Sequence, residues 1–180
     1  ISQRRPWSAR LRWRGLQKQS LLTYVLFLIM LTSLDQPSTM DDEMNKLRSD
    51  ANNCFVCGPE NPIGLKLIFS IGDDDICRST FTPEENHCGY DGVTHGGIIF
   101  SALDDVMANW LFLKGFKAFT AKCEVRYRGA LTIGTPVRLE GHRLKQRARL
   151  TLMRGLLIRN DSDKVVAEAE ASFMLSGEPI

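Results

Sequence analysis

The chain has 180 residues, 43% of them hydrophobic and 24% charged, with a formal net charge of +2. That length holds one domain with a real core and is too short for two comfortable ones. The composition is that of an ordinary soluble protein and excludes a disordered, collagen-like or disulfide-dense chain.

Residues 1–39 differ from everything after them. Asp and Glu are absent from residues 1–34, arginines are frequent, and an apolar run, LLTYVLFLIMLTSL, occupies Leu21–Leu34. Fourteen residues are short for a membrane span but long enough for the core of a leader peptide. No small-residue cleavage pattern follows, and an organelle transit peptide fits the arginine-rich, acid-free character equally. Residues 1–39 are therefore expected to be a non-globular N-terminal extension, either a leader or sequence upstream of a true start at Met40. Residues 40–51 form a polar lead-in. Five cysteines, an odd number, point to free thiols in a reducing, cytoplasmic setting. No stable membrane association is expected.

Residues 52–176 carry the domain. Asn52–Leu65, NNCFVCGPENPIGL, is dense in Asn, Gly and Pro and reads as irregular. Strand-like runs follow at Leu65–Ile71 and Ile76–Thr82, separated by the turn residues Gly72–Asp75. Pro83–Thr94 reads as a loop. From His95 to Leu113 the apolar residues change to helical spacing, with no Lys, Arg or Glu among them, and Gly115 closes the segment. Four β-rich runs complete the chain: Ala121–Leu131, Pro136–Leu144, Arg149–Arg159 and Val165–Leu175. They are broken by Gly134, by a basic turn at Lys145–Arg147 and by Asn160–Asp163. Hairpin-spaced strands favour an antiparallel sheet, and a helix this apolar must be wrapped by it. The expected fold class is α+β, one antiparallel sheet around one long helix.

The segment HGGIIFSALDD at His95–Asp105 carries the chemistry. A helix starting near Gly96 presents unpaired backbone N–H groups, and glycines there let a ligand oxygen approach. Such a site suits a carbonyl oxygen that gains negative charge. Asp104 lies seven residues after Gly97, on nearly the same face but about 10 Å along the axis. Ser101 and Ala108 share that stripe. Asp104 cannot reach its own helix start, but it could reach that of an antiparallel second copy. The geometry implies a two-fold dimer, and the expected assembly is a homodimer or a homotetramer built as a dimer of dimers. Asp105 points some 100° away and is the weaker candidate.

Two further features bear on partners and metals. Nine Lys/Arg stand between Arg126 and Arg159 against the single Glu140. With no nucleic-acid motif beside them, a small phosphorylated ligand is the expected partner and nucleic acid is not. Cys54 and Cys57 form a CxxC that His87 and Cys88 could complete as a metal site, but the spacing matches no known finger. Packed reduced thiols are the expectation, with no metal and no cofactor. His142, among arginines, reads as surface.

The segment HGG with an acid nine positions after the histidine, the loop HCGYDGVT, the segment CFVCGPENPIGL and the stretch VRYRGALTIGTPV resemble the hotdog-fold acyl-CoA thioesterases of the phenylacetate-pathway (PaaI-like) type. The resemblance spans about residues 50–175. It implies hydrolysis of an acyl-CoA thioester, with a non-catalytic acyl-CoA-binding module as the alternative. The carbonyl would be polarised by the Gly96 and Gly97 N–H groups, with His95 shaping the pocket and capping the helix. Asp104 of a second copy would act as general base or nucleophile. Ser101 and Asn86 would line the substrate path, and Arg126, Arg128, Arg147 and Arg149 would hold the CoA phosphates, with Arg147 and Arg149 on one side of a strand. Where some relatives carry an amide six residues before the histidine, this chain has Gly89. Where some carry a hydroxyl one turn after the acid, it has Ala108.

Overall fold

The computed structural model describes residues 51–179; the expectations for residues 1–39 and for most of the lead-in fall outside that range. The helix α1 runs Gly96–Leu113. Its repeat of Ile99, Leu103, Val106, Met107 and Trp110 is buried, which accounts for the absence of cations along its length. By length and a mean hydropathy of 1.3 it could cross a membrane, but its apolar residues form the centre of the protein core.

The strands are β1 (Ser70–Ile71), β2 (Cys77–Phe81), β3 (Cys88–Tyr90), β4 (Val93–Thr94), β5 (Phe116–Tyr127), β6 (Val137–Arg147), β7 (Leu150–Arg159) and β8 (Val165–Pro179). Six of them form one antiparallel sheet in the order β1-β2-β6-β7-β8-β5, and β3 with β4 makes a separate small hairpin. One face of the sheet presents Leu139, Met153, Leu157, Ala169 and Phe173, all buried against α1. Gly141 and Gly155 pair across β6 and β7, beneath the middle of the helix. A Cβ at Gly141 would lie 2.6 Å from the Val106 carbonyl oxygen, so this glycine sets how closely the helix can settle on the sheet. The far end of α1 is pinned to the turn before β2. There Trp110 Nε1 donates to the Asp75 carbonyl at 2.8 Å, and Lys114 pairs with Asp75 at 2.6 Å.

The expected order of two strands, one helix and four strands holds. Three details differ. The run Leu65–Ile71 contributes only Ser70–Ile71 to the sheet. The Leu65 and Leu67 N–H groups donate instead to Phe55 and Val56 in the N-terminal arm, at 2.8 and 2.9 Å, and Lys66 between them takes a left-handed φ of 57°. The stretch Pro83–Thr94 holds a 3-10 turn, Glu85–His87, and the β3–β4 hairpin. The basic turn expected at Lys145–Arg147 is strand, because the reversal falls at Ala148, whose φ is 48°. Arg147 therefore closes β6 while Arg149 stands in the turn before β7, so the two do not share a strand side as expected.

Candidate active site

His95 is the N-cap of α1, extended at φ −62° and ψ 134°, and its Nδ1 accepts the Gly97 N–H at 2.8 Å. Its carbonyl accepts from Ile98 and Ile99, and its own N–H donates to the His87 carbonyl at 2.7 Å. Of the first-turn donors, only the Gly96 N–H is not taken by His95. This corrects the expectation of two free donors: the imidazole that caps the helix consumes the Gly97 amide.

Gly96 sits in a cleft of about 500 Å³ lined by Gly89, Tyr90, His95, Ile99, Tyr127 and Leu131 among others. The Tyr127 hydroxyl donates to the Gly96 carbonyl at 2.8 Å, locking the first turn to β5. Gly89 backs onto the His95 side chain. A Cβ there would stand 3.1 Å from His95 Cα and 3.2 Å from the imidazole Cδ2, which explains why this chain has no side chain at that position. Asn86 lies exposed in the 3-10 turn and is not among the residues lining the cleft, so the structure does not bring it to the helix start.

Two turns along, Asp104 is half-buried, and its Oδ1 accepts from the Thr120 hydroxyl at 2.9 Å. Burial raises the Asp104 pKa above the ordinary carboxylate range, and the Thr120 hydrogen bond opposes that shift. Cys123 is pushed up to about 11, first by burial and then by the nearby Asp104 charge. Thr120 is a residue that sequence reading missed. The β5–β8 pairing slips between Thr120 and Lys122. This irregularity lets both Thr120 and, three residues on, Cys123 approach α1, which strict alternation would forbid. Ser101 is half-buried on the same stripe, with its hydroxyl donating back to the Gly97 carbonyl at 2.9 Å.

The arginines are scattered. Arg126, Arg128 and Arg154 line an open cleft of about 510 Å³, but Glu124, Glu168 and Glu170 line it as well. Arg128 and Arg154 both pair with Glu168. The apparent basic half of the sequence is thus offset where β8 brings its glutamates beside β5 and β7. The Arg149 guanidinium donates to the Leu175 and Ser176 carbonyls at 2.9 and 3.2 Å and fastens the end of β8. Arg147, with Lys145, lines a shallow cleft of about 310 Å³ whose other lining residues are Leu150, Leu152 and Ser172. His142 is half-buried beside Glu140 at 3.3 Å rather than a free surface group.

Residues 91–170 match the sequence profile of the thioesterase superfamily. No curated protein sequence matches the chain. Among solved structures, zebrafish thioesterase superfamily member 2 superposes with a TM-score of 0.60 at 17% identity, over 77% of this chain and 99% of that one. The Escherichia coli PaaI protein from the phenylacetic acid degradation operon gives 0.60 at 18% identity, over 64% and 83%. A Streptococcus mutans protein bound to acetyl CoA gives 0.58 at 18%, over 62% and 90%. All share the helix-in-sheet hotdog fold.

Proposed function

For a hotdog-fold chain of the thioesterase superfamily, we propose hydrolysis of an acyl-CoA thioester to free acid and CoA, at a site completed by a second copy of the chain. The observation that carries the proposal is the pair of features along the β5 side of α1. Among the described residues an N–H donor is left over at the capped helix start, where Gly96 lines a cleft, and a carboxylate of raised pKa, held by Thr120, lies two turns further on. These two features are too far apart along one helix to meet on one substrate. An antiparallel second helix would set Asp104 of one copy against Gly96 of the other.

The free edge of β5 supports this pairing. Among the described residues the strand, 12 residues long, bonds only to β8, and it exposes Phe116, Phe119 and Tyr127. An unpaired edge with exposed aromatics invites a second strand.

In the reaction the thioester oxygen accepts from the Gly96 N–H. Acting as general base, Asp104 takes a proton from water, whose oxygen bonds to the carbonyl carbon. The negative charge gathers on the oxygen at the helix start, where the dipole favours it. The C–S bond then breaks and CoA leaves as thiolate, recovering the proton. Acting instead as nucleophile, Asp104 would form an anhydride that water then opens. A raised carboxylate pKa suits a base working near neutral pH. The neighbour bound to acetyl CoA supports the substrate class. For the CoA phosphates the best-placed arginine is Arg147, since Arg126 shares its cleft with Glu124, Glu168 and Glu170, Arg128 is committed to Glu168 and Arg149 to backbone carbonyls. The reducing compartment implied by the cysteines makes the cytoplasm the proposed location.

The test is release of free thiol from a panel of acyl-CoA esters of increasing chain length. Turnover of at least one ester, lost in Asp104→Asn, is expected. Tight binding of the panel with no turnover would leave a binding module in place of an enzyme.

A further inference from the structure

The other side of α1 holds a cluster that the hydrolytic reading does not use. The N-terminal arm folds so that Cys54 and Cys57 meet Asp105, and one ligand atom from each of the three lies within 4.8 Å of the others. Cys54 Sγ is 4.0 Å from Asp105 Oδ1. The other carboxylate oxygen accepts from Asn109 Nδ2 at 2.9 Å, and the same amide nitrogen lies 4.0 Å from Cys57 Sγ. Asn109 is only 3% exposed, yet among the described residues its Oδ1 has no hydrogen-bond partner. His87 and Cys88, the partners considered from sequence, are not part of the cluster.

We propose that Cys54, Cys57 and Asp105 bind a divalent transition metal ion of the zinc class, with water in the fourth position. Two sulfurs at CxxC spacing with one carboxylate favour zinc over magnesium or calcium, which take oxygen ligands only. Bond lengths of about 2.0–2.3 Å place ligand atoms of a tetrahedral site roughly 3.3–3.8 Å apart, so the cluster must contract by about 1 Å. Asn109 already aims the carboxylate, as an outer partner of a metal ligand does. Binding converts two thiols to thiolates and releases their protons to solvent, so affinity rises with pH. The ion would clamp the arm to α1 at the residue beside Asp104, by ligands that leave Asp104 itself untouched.

The experiment is titration of the tag-free, metal-stripped full chain with Co2+. One ion per chain is expected, with the thiolate-to-cobalt charge-transfer absorption and the strong visible bands of a tetrahedral site, both abolished by competing Zn2+. Cys54→Ser and Cys57→Ser should each diminish the charge-transfer band, and Asp105→Asn should weaken cobalt affinity by about tenfold or more. Cys88→Ser and Cys123→Ser should leave the spectrum unchanged. Zinc at a hundredfold excess over its Kd should raise the wild-type Tm by about 5 °C or more, and should slow alkylation of Cys54 and Cys57 but not of Cys88. A folded wild-type chain that gives no charge-transfer band, or a band that survives in both Cys54→Ser and Cys57→Ser, overturns the proposal. The alkylation arm uses only wild-type protein and decides the matter even where a cysteine variant fails to fold.

Discussion

Two neighbouring acids on one helix live in different chemistry. Asp104 looks toward β5, where its partner is the neutral hydroxyl of Thr120, and burial holds its pKa up. Asp105, one residue on, looks toward the N-terminal arm, where an amide from Asn109 and the sulfur of Cys54 surround it. A single step of about 100° round the helix separates a carboxylate suited to take a proton from one suited to hold a cation. The identity of the residue matters less than the element packed against it.

The largest expected effect follows from that contrast. Asp104→Asn should lower kcat/KM by about 10² or more, because it keeps the shape and the acceptor for Thr120 but removes the proton acceptor. Asp105→Asn should stay within a few-fold of wild type. Asp104→Asn should not harm the fold. With its folded pKa above the ordinary carboxylate value, Asp104 binds its proton more tightly in the native state. Stability is therefore lost as pH rises from the ordinary carboxylate pKa through the raised one, and the deficit persists above it. Asn carries no such penalty, so at neutral pH the variant should melt at or above the wild-type temperature by calorimetry. A lower Tm would mean that the ionised carboxylate stabilises the fold.

Most of the fold was legible because its signals are local. The helical spacing from Ile98 to Leu111 and the turns at Gly72–Asp75 and Asn160–Asp163 needed no tertiary information. What was missed depends on contacts between distant segments. Leu65, Leu67 and Phe69 alternate like a strand, and Leu67 and Phe69 are buried like one, but their stretch bonds to the arm. Thr120 could not be found from period-2 alternation because the irregularity after it shifts the inward positions. The three cluster ligands are 51 residues apart in sequence at their widest, and nothing short of the folded arm joins them. The arginine pattern misled for the same reason: Glu168 and Glu170 enter the picture only through strand pairing.

Smaller effects sharpen the contrast. Thr120→Val removes the hydrogen bond that lowers the Asp104 pKa, so the acid limb of the kcat/KM profile should move to higher pH. An unmoved limb would show that the hydroxyl does not govern this carboxylate. On the outer face, Arg147→Ala should raise KM for the full acyl-CoA about threefold with kcat unchanged, and should be silent toward a pantetheine thioester without the nucleotide. Arg128→Ala, already neutralised by Glu168, should do less.

The central claim, that the β5 side of α1 is half of a site and a second copy brings the other half, has one direct measurement. Gly97→Val should be inactive by itself, since even a Cβ at Gly97 would stand 2.9 Å from His95 Nδ1, displacing the cap at the helix start. Asp104→Asn should be inactive for want of its carboxylate. When the two are unfolded and refolded together in equal amounts, random pairing makes half of the dimers mixed, and each mixed dimer holds one intact site. The account predicts recovery of about a quarter of wild-type thiol release. A mixture of assembled mixed dimers that stays as inactive as either variant alone would place helix start and carboxylate in the same chain and contradict it.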